Sequence, residues 1–316
     1  MRGLERELLD LVRAVPRGRV TTYGDLASAL GDPVAARAVA AMLRELPNPG
    51  GTPLHRVVLA DGSLGGDPST RAARGRALER EGVHVEGGRL ARFERLRARL
   101  AGRGAPLRRL RQEQSRLRAR VHPGPLPFAP EALAGVDVAY TRGREAFAAA
   151  VEVDASTLEV LRERAVRVRI DFPYIPTYLS YRELPAVEAA LEGWDLSRTV
   201  LFIDGQGSIH PRGFGIACHV GVALGVPTVG VAKSLLWGAF DAGALARDGH
   251  APVVGEGIHA GWAVRPPRGR PVFASPGNMV SLDEALELAM AATVRRQPVP
   301  LELAHRLATL RRKGGA

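Results

Sequence analysis

From residue 133 onward, apolar segments of strand length alternate with helical segments. Three strand-like segments come first, with the sequences LAGVDVAY, AFAAAVEVDA and LEVLRERAVRVRIDF. Helix and strand then alternate, through the strand TVLFIDGQG, the helix GIACHVGVALGV and the strand PTVGVAKS. This order predicts an α/β fold, in which a mixed sheet with flanking helices carries an antiparallel hairpin at one edge.

Residues 1–95 follow a different pattern, in which short helices alternate with turns. Thr22 is placed to cap a helix that begins at Tyr23 and ends at Gly31, and a second, alanine-rich helix begins near Pro33 with the sequence VAARAVAAMLREL. Two short helices around a glycine turn predict a helix-turn-helix whose thin second helix fits a DNA groove. The alternative is an ordinary helical hairpin.

The two parts meet in a stretch dominated by arginine and leucine, RFERLRARLAGRGAPLRRLRQEQSRLRARV, which glycines and a proline interrupt. The interruption predicts a boundary between domains. We expect an N-terminal domain over 1–95, a linker over 96–105 and a C-terminal domain over 106–316, with one helix on each side of the linker. The arginines of this stretch are either a solvated helix face or phosphate contacts.

The composition narrows the class of protein and of partner. A net charge of +11 and a pI of about 10.9 indicate a polyanionic partner, most often nucleic acid, although biased codon usage gives the same arginine excess. One cysteine excludes an internal disulfide and a multi-cysteine zinc site. The chain lacks an apolar run of ~20 residues and a signal-peptide core, so we expect a cytoplasmic protein without membrane contact.

Lysine is rare enough in this chain to be informative. Lys233 and Lys313 are its only lysines, while arginine supplies the rest of the positive charge. Lys313 lies in the polar tail RRKGGA, whereas Lys233 lies in the apolar stretch TVGVAKSLLWG. Because lysine presents a compact point charge and shifts its pKa more readily than arginine, Lys233 is a candidate for chemistry.

Three carboxylates lie on separate elements of the C-terminal part. Asp137 interrupts an apolar strand, Asp204 ends another strand directly before Gly205, and Glu183 lies near the start of the helix that follows PYIP. Functional groups of open α/β sheets collect at strand ends, and a charge within a strand is unfavourable unless it is paired or bound to metal. Convergence of the three acids would give oxygen ligands for Mg²⁺, or for Mn²⁺ in its place.

Such a site is typical of metal-dependent phosphodiester cleavage. His210, six residues after Asp204, is a candidate acid, base or water-positioning group, and Lys233 is placed to neutralise charge on a phosphate. Each residue also has a structural alternative. Asp204 is then a turn residue, Glu183 an ion-pair partner of Arg182, and His210 a buried structural histidine.

Five segments in this order resemble endonuclease V, a deoxyinosine-specific repair nuclease, over about 106–316: GVDVAY, FPYIPTYLSYRE, LFIDGQGSIHPRGFGIACH, PTVGVAKS and SPGNMVSLDEAL. The resemblance implies an RNase H-like fold. It also implies Mg²⁺-dependent cleavage of the second phosphodiester bond 3′ of a deaminated adenine, leaving a 5′-phosphate. By motif, five residues match the family's catalytic positions: the metal-binding acids Asp137, Glu183 and Asp204, and the accessory residues His210 and Lys233.

The same resemblance implies how the lesion is recognised. Tyr174 matches the wedge that fills the base stack after the lesion has left it, a role that suits a flat ring between two prolines. Three residues match the family's base pocket: Gly205, Ile216 and Gly230. Two positions depart from the family's pattern, since glycine usually follows PYIP where this chain has Thr177, and histidine usually follows SPG where it has Asn278.

The N-terminal part resembles the DNA-binding domain of O6-alkylguanine-DNA alkyltransferases, a small, mainly helical domain of the winged helix-turn-helix type, over about 1–95. The resemblance rests on VPRGRVTTYGDLA, AARAVAAMLRELPNP, PLHRVVLADGSLGG and LEREGV. In that family a cysteine between proline and histidine accepts the alkyl group, but here the position holds Leu54, which has no nucleophilic atom. The resemblance therefore implies an alkyltransferase-like domain that binds O6-alkylguanine, or DNA in general, without repairing it.

Several residues of this domain match known roles in DNA binding. Tyr23 matches the residue that rotates the phosphate during base flipping, and Arg37 matches the finger that replaces the flipped base. Three residues match the hydrogen-bond network behind the missing cysteine: Asn48, His55 and Glu81. The alternative for this half is a degenerate domain that only adds affinity.

Both halves point to damaged DNA as the partner. We expect a DNA repair endonuclease for deoxyinosine, assisted by a domain without alkyltransferase activity. One alternative is a non-cleaving sensor of alkylated bases that recruits other repair proteins. A second alternative is an inosine-specific ribonuclease, which the DNA-binding N-terminal part disfavours.

Overall fold

A computed structural model describes residues 2–45, 51–102 and 104–314. The chain forms two compact units. The first comprises Met1–Glu113 with Pro173–Pro176, and the second comprises Gln114–Phe172 with Thr177–Ala316.

The first unit is mainly helical. Its helices are α1 (Arg2–Arg13), α2 (Tyr23–Leu30), α3 (Ala36–Glu45), α4 (Pro68–Glu79), α5 (Phe93–Leu96) and the first part of α6 (Pro106–Arg118), and two 3₁₀ turns cover Pro33–Ala35 and Leu54–Arg56. Two-residue strands pair in parallel, β1 (Thr21–Thr22) with β2 (Val57–Val58), and antiparallel, β3 (Val85–Glu86) with β4 (Arg89–Leu90). The division between the units falls within α6, and the predicted linker over 96–105 stays a prediction.

The predicted pair of helices around Gly31 is present. Thr22 Oγ1 accepts a hydrogen bond from Asp25 N at 3.0 Å, and Asp25 Oδ2 accepts one from Thr22 N at 3.2 Å, which forms a capping box at the start of α2. Gly31 ends α2 in the left-handed conformation, with φ +111°. The second helix begins as a 3₁₀ turn and becomes α-helical at Ala36.

The helix predicted on the N-terminal side of the linker is wrong beyond its first turn. Helix α5 ends at Leu96, and the chain then extends beside Val20, whose amide donates to Leu96 O at 3.0 Å and whose carbonyl accepts from Ala98 N at 2.7 Å. Arg97 leaves the helical path to form a two-pronged ion pair with Asp25. These tertiary bonds outweigh the helical propensity of the arginine–leucine sequence.

The second unit is built on one eight-stranded mixed sheet. Its strands are β5 (Ala132–Tyr140), β6 (Glu145–Asp154), β7 (Val160–Arg169), β8 (Thr199–Asp204), β9 (Thr228–Ala232), β10 (His250–Gly255), β11 (Ile258–Val264) and β12 (Val272–Asn278), in the order β10-β11-β12-β9-β8-β5-β6-β7. Strand β8 is parallel to both β5 and β9, and every other pairing is antiparallel. The helices are α7 (Leu179–Leu191), α8 (Ile216–Leu224), α9 (Ala242–Asp248), α10 (Leu282–Ala291) and α11 (Val299–Gly314).

The predicted α/β fold is confirmed, with β5–β7 as the antiparallel edge. The helix–strand alternation does not predict the second antiparallel edge, β10–β12, because its segments carry polar, proline and glycine residues among the apolar ones. In the described part of the chain, no helix combines the length and apolar character that a bilayer span requires.

Helices cover both faces of the sheet. On one face, Val136 and Ile203 pack against α7 and α8, while on the other face Leu133 and Phe202 pack against α10 and α11. Because side chains alternate along a strand, Asp137 and Asp204 extend the rows of Leu133 and Phe202. Both carboxylates therefore lie at the end of the sheet on the α11 side.

Candidate active site

The predicted acids come together at one end of the sheet. Strands β5 and β8 are parallel neighbours in which Val136 pairs with Ile203, so Asp137 and Asp204 are one step further along the same ladder. Their carboxyl groups are within hydrogen-bonding reach of each other. Glu183, in the second turn of α7, is close enough for its charge to interact with both.

Glu183 is held by neighbours that restrict its orientation. Tyr140, the last residue of β5, donates its hydroxyl proton to Glu183 Oε1 at 2.5 Å. The Arg182 guanidinium lies 4.2 Å from the centre of the Tyr140 ring and donates a hydrogen bond to Phe172 O. The tyrosine thus joins the end of β5 to α7 through the carboxylate itself.

The three acids carry more negative charge than their surroundings neutralise. Burial raises the pKa of Glu183 to about 8, and the charges of Asp204 and Asp137 act in the same direction against the Tyr140 hydrogen bond. Burial also raises the pKa of Asp204, with a contribution from Asp137, despite the nearby Lys233 ammonium. Negative charge at this position therefore favours either a bound proton or a bound cation.

Lys233 lies directly after β9, and its Nζ is 2.6 Å from Asp204 Oδ2. The side chain is about half exposed, so the ammonium lies at the mouth of the site. Burial tends to lower the pKa of Lys233, but the Asp204 carboxylate outweighs it and the pKa is raised. The lysine singled out by its rarity is thus a charged partner of the predicted acid centre.

His305 contacts the site although the sequence motifs do not point to it. It lies on α11, and its Nδ1 is 2.8 Å from Asp137 Oδ2. Half of the side chain is exposed, whereas Asp137 is largely buried. Its sequence neighbourhood, LELAHRLA, reads only as an amphipathic helix, so nothing in the sequence ties His305 to Asp137.

His210 lies apart from this hydrogen-bonded cluster. Its Nδ1 accepts from Arg212 N at 3.1 Å, so its Nε2 carries the proton and donates to Thr177 O at 3.2 Å. Burial lowers the pKa of His210 to about 4, and the Arg212 charge adds to the effect. In this arrangement His210 is a neutral, fully bonded histidine, which agrees with its structural alternative; a catalytic role stays a prediction.

Thr177 is the centre of a second network. Its φ of +68° is a conformation that glycine adopts readily and a β-branched residue rarely does. Its carbonyl oxygen accepts from Gln114 Nε2 at 2.9 Å and from Arg212 Nη2 at 2.7 Å, and Arg212 Nη2 also bonds Thr177 Oγ1 at 2.7 Å. The hydroxyl group therefore contributes a bond that the family's glycine lacks.

Asn278 is a buried structural residue in this chain. Its Oδ1 accepts from His122 N at 3.0 Å, and its Nδ2 donates to Gly221 O at 3.1 Å and to Val226 O at 3.3 Å. Because both the oxygen and the nitrogen of its amide form hydrogen bonds, Asn278 connects β12 to the end of α8 and to the segment before β5. This position has no free group for a metal or phosphate.

The residues present fit a hard divalent cation by their chemistry. In the parts of the chain that the structure describes, no group of three or more Asp, Glu, His or Cys side chains is arranged as a complete metal site. One oxygen of each acid is instead engaged, by His305 for Asp137, by Tyr140 for Glu183 and by Lys233 for Asp204. Three clustered carboxylates, of which Glu183 and Asp204 have raised pKa values, nevertheless form a donor set that Mg²⁺ or Mn²⁺ prefers.

The residues matched to a base pocket also lie together. A side chain at Gly205 would meet Ile216 Cγ2 at 2.5 Å, and one at Gly230 would meet the backbone of Gly205–Gly207 at 2.4–2.7 Å. Only glycine therefore lets the end of β8 approach α8 and β9 this closely. Tyr174, in the Pro173–Pro176 segment, is 62% exposed, as an inserting side chain requires.

In the first unit, a polar cluster lies beside Leu54. His55 Nε2 is 2.9 Å from Glu81 Oε1, and Arg56 binds both oxygens of the same carboxylate. Partial burial tends to raise the pKa of Glu81, but the bonds from Arg56, His55 and Gly18 N outweigh it and the pKa falls to about 2. The predicted network of His55 and Glu81 is present, with Arg56 as a further member.

The remaining predicted DNA-binding positions of this unit are accessible where the structure describes them. Tyr23 is the first residue of α2 and is half-buried, while Arg37 projects from the first turn of α3 and is exposed. Leu54 is half-buried at the start of its 3₁₀ turn. Asn48 lies outside the described residues.

Comparison with known proteins agrees with this arrangement. The Endonuclease V family profile matches residues 115–306, and the profile of the 6-O-methylguanine DNA methyltransferase DNA-binding domain matches residues 3–83. A bifunctional methyltransferase/endonuclease of Thermoplasma volcanium is 34% identical, over 96% of this chain and 88% of its own length.

Relatives of the C-terminal part alone are also similar. An Endonuclease V of Xanthomonas campestris pv. campestris is 43% identical, over 67% of this chain and 91% of its own length. The crystal structure of Endonuclease V from Streptomyces avermitilis superposes with a TM-score of 0.60 at 38% identity, covering 66% of this chain and 93% of that one. Both resemblances inferred from the sequence motifs are confirmed. The chain therefore belongs to the Endonuclease V family, as an endonuclease that carries an alkyltransferase-like DNA-binding domain before its nuclease part.

Proposed function

We propose that this protein is a Mg²⁺-dependent DNA repair endonuclease that cleaves the second phosphodiester bond 3′ of deoxyinosine and leaves a 5′-phosphate. The observation that carries the proposal is the convergence of Asp137, Glu183 and Asp204 at one end of the sheet, with Lys233 and His305 against them. An acid cluster of this kind is unfavourable in a protein unless a cation or substrate chemistry uses it.

Each residue of the cluster has a role that follows from its contacts. Asp137, Glu183 and Asp204 would hold the metal, which when bound supplies Lewis acidity and an activated water for phosphodiester hydrolysis. His305 orients the Asp137 carboxylate, and Tyr140 fixes the Glu183 carboxylate. Lys233, half exposed at the mouth, places its ammonium where negative charge grows on a phosphate.

Recognition of the lesion follows from the accessible ring of Tyr174. An exposed aromatic side chain between Pro173 and Pro176 is stiff enough to enter a base stack and replace an extruded nucleotide. Gly205, Ile216 and Gly230, which pack together at the end of β8, are the residues to which we assign the selectivity for deoxyinosine.

The N-terminal domain is proposed to bind O6-alkylguanine, or DNA in general, without removing the alkyl group. Leu54 occupies the position of the nucleophile and has no atom that can accept an alkyl group. Cys218 does not replace it, because it is buried in the second unit and burial raises the pKa of its thiol to about 12. The polar cluster of His55, Arg56 and Glu81 then serves to shape the domain.

A cleavage and binding assay on labelled duplexes tests this proposal. Duplexes containing deoxyinosine, O6-methylguanine or neither are incubated with wild type and with Asp204→Asn, with Mg²⁺ or with EDTA. We expect wild type to nick the deoxyinosine duplex only with Mg²⁺, and Asp204→Asn to bind without nicking. Binding to methylguanine DNA with no nick on any duplex would instead favour the sensor, and preference for an inosine RNA would favour the ribonuclease.

A further inference from the structure

A cavity of about 570 Å³ opens in the second unit beside the acid cluster, within the ~300–1,000 Å³ of typical ligand pockets. Lys233 and His305, which contact the two aspartates, form one wall of it. The remaining walls are the loop before β12, the loop after α10 and the first turns of α11. The cavity is therefore continuous with the catalytic end of the sheet and lies on its α11 face.

The lining of this cavity is strongly basic. Besides Lys233, it contains Arg270, Arg296 and Arg306, against the single carboxylate of Glu302. All three arginines are exposed, and none has a carboxylate partner among the described residues. Unneutralised guanidinium groups that converge on a cavity are suited to an oligoanion.

The arginines project from a scaffold that is fixed. Arg268 N donates to Arg295 O at 2.9 Å, which ties the two loops together, and the stem of Arg296 packs over Gly269. Gln297 is buried beside them. This hydrogen bond therefore holds the two loops that carry Arg270 and Arg296 close together.

The chemistry of the lining points to phosphates and away from bases. No Phe, Tyr or Trp side chain is among the lining residues, and the one aromatic ring, the His305 imidazole, is already bonded to Asp137, so positive charge dominates the lining. Arginine side chains bind phosphodiester oxygens in a two-pronged geometry without regard to sequence. The ligand class is thus a nucleic-acid backbone, with free phosphate or nucleotide as the other source of the same group.

The position of the cavity indicates which part of a DNA strand it holds. The residues assigned to the base pocket lie where β8 meets α8, on the opposite face of the sheet from α11. A strand whose lesion lies on the α8 face and whose scissile phosphate lies at the acids would continue onto the α11 face. We propose that Arg270, Arg296 and Arg306 bind the backbone on the 3′ side of the scissile bond, an inference whose polarity rests on the proposed function.

Equilibrium binding on duplexes with a stepwise shortened 3′ flank tests the proposal. We measure the affinity of three proteins for deoxyinosine and undamaged duplexes: wild type, the double variant Arg270→Ala/Arg296→Ala and the control Arg198→Ala. EDTA is present so that no cleavage occurs. Arg198→Ala serves as the control because Arg198 lies at the far end of β8, where it pairs with Glu131. Thermal unfolding of each variant verifies that the fold is intact.

The double variant is expected to bind the long-flank duplexes at least about tenfold more weakly, with the plot of log affinity against log salt shallower by about 2. The loss should vanish when the flank is too short to reach the cavity, and Arg198→Ala should behave as wild type. An equal loss at all flank lengths, or none, overturns the proposal. The proposal is also overturned if inorganic phosphate weakens DNA binding by wild type as much as the double substitution does. That result would make the cavity a site for free phosphate.

These outcomes are separable from the proposed function. If the protein bound but failed to cut deoxyinosine DNA, the flank dependence of binding to the deoxyinosine duplexes in EDTA would still report on the cavity. If it cut DNA and the double variant lost no flank dependence, only the cavity assignment would fail.

Discussion

His305 Nδ1 lies 2.8 Å from Asp137 Oδ2, although 168 residues separate the two in the chain. The contact joins α11 to the carboxylate that interrupts β5. It gives the buried Asp137 a partner and sets the direction in which its second oxygen points. His305 is therefore a positioning residue for the acid cluster.

Replacing His305 tests this role. We expect His305→Ala to lower the cleavage rate about 10–100-fold and to raise the Mg²⁺ concentration needed for half-maximal rate, as loss of a ligand's hydrogen-bond partner typically does. His305→Asn is the matched variant, since its amide nitrogen can donate from nearly the position of Nδ1. A Mg²⁺ titration in which Ala, Asn and wild type coincide would contradict the role.

The raised pKa of Glu183 predicts a pH dependence of stability in metal-free protein. Its pKa is about 8 in the folded chain against 4.5 for the ordinary group, so its contribution is fully present below 4.5 and is lost as pH rises towards 8. In EDTA, the midpoint temperature of thermal unfolding of wild type should therefore fall as pH rises, relative to that of Glu183→Gln. The glutamine side chain stays neutral at every pH. Parallel profiles for the two proteins would show that Glu183 is ionised throughout.

Thr177 allows strain and hydrogen bonding to be separated by two substitutions. Thr177→Ala keeps a side chain at φ +68° and loses the bond to Arg212, whereas Thr177→Gly loses the same bond but relieves the backbone. We expect the glycine variant to be more stable than the alanine variant by about 1 kcal/mol in denaturant unfolding. Equal stabilities would mean that the left-handed backbone is not strained in the folded protein.

The N-terminal domain should bind alkylated DNA through α3. Arg37→Ala is expected to weaken binding to an O6-methylguanine duplex about tenfold, because an exposed arginine that replaces a flipped base is lost. Arg44→Ala, on the same helix, is the control and should change affinity little. Mass spectrometry of wild type after incubation should show no added methyl group; a gain would mean that another residue accepts the alkyl group.

Local sequence rules account for the elements that are fixed by neighbouring residues. Thr22 caps α2, Gly31 ends it, and Asp137 and Asp204 stand at strand positions that lead them to one end of the sheet. These features depend on short-range hydrogen bonding and on strand periodicity, both of which are visible in the residues. The rarity of lysine likewise identified Lys233, whose partner is Asp204.

Features that depend on distant contacts could not be predicted in this way. His305 reaches Asp137 only because α11 packs on the sheet, and Arg97 leaves its helix only because Asp25 and Val20 are beside it. In each case tertiary hydrogen bonding decides the outcome, and it leaves no periodic trace in the sequence.

The most direct measurement maps the nick on a duplex with one deoxyinosine, labelled at the 5′ end of the lesion strand. Wild type is assayed with Mg²⁺ and with EDTA, beside Asp204→Asn and the distant Arg198→Ala. We predict a Mg²⁺-dependent nick at the second phosphodiester bond 3′ of the lesion, with a 5′-phosphate, in wild type and Arg198→Ala but not in Asp204→Asn. Cleavage that persists in EDTA, or in Asp204→Asn, would contradict the assignment of the acid cluster as the catalytic centre.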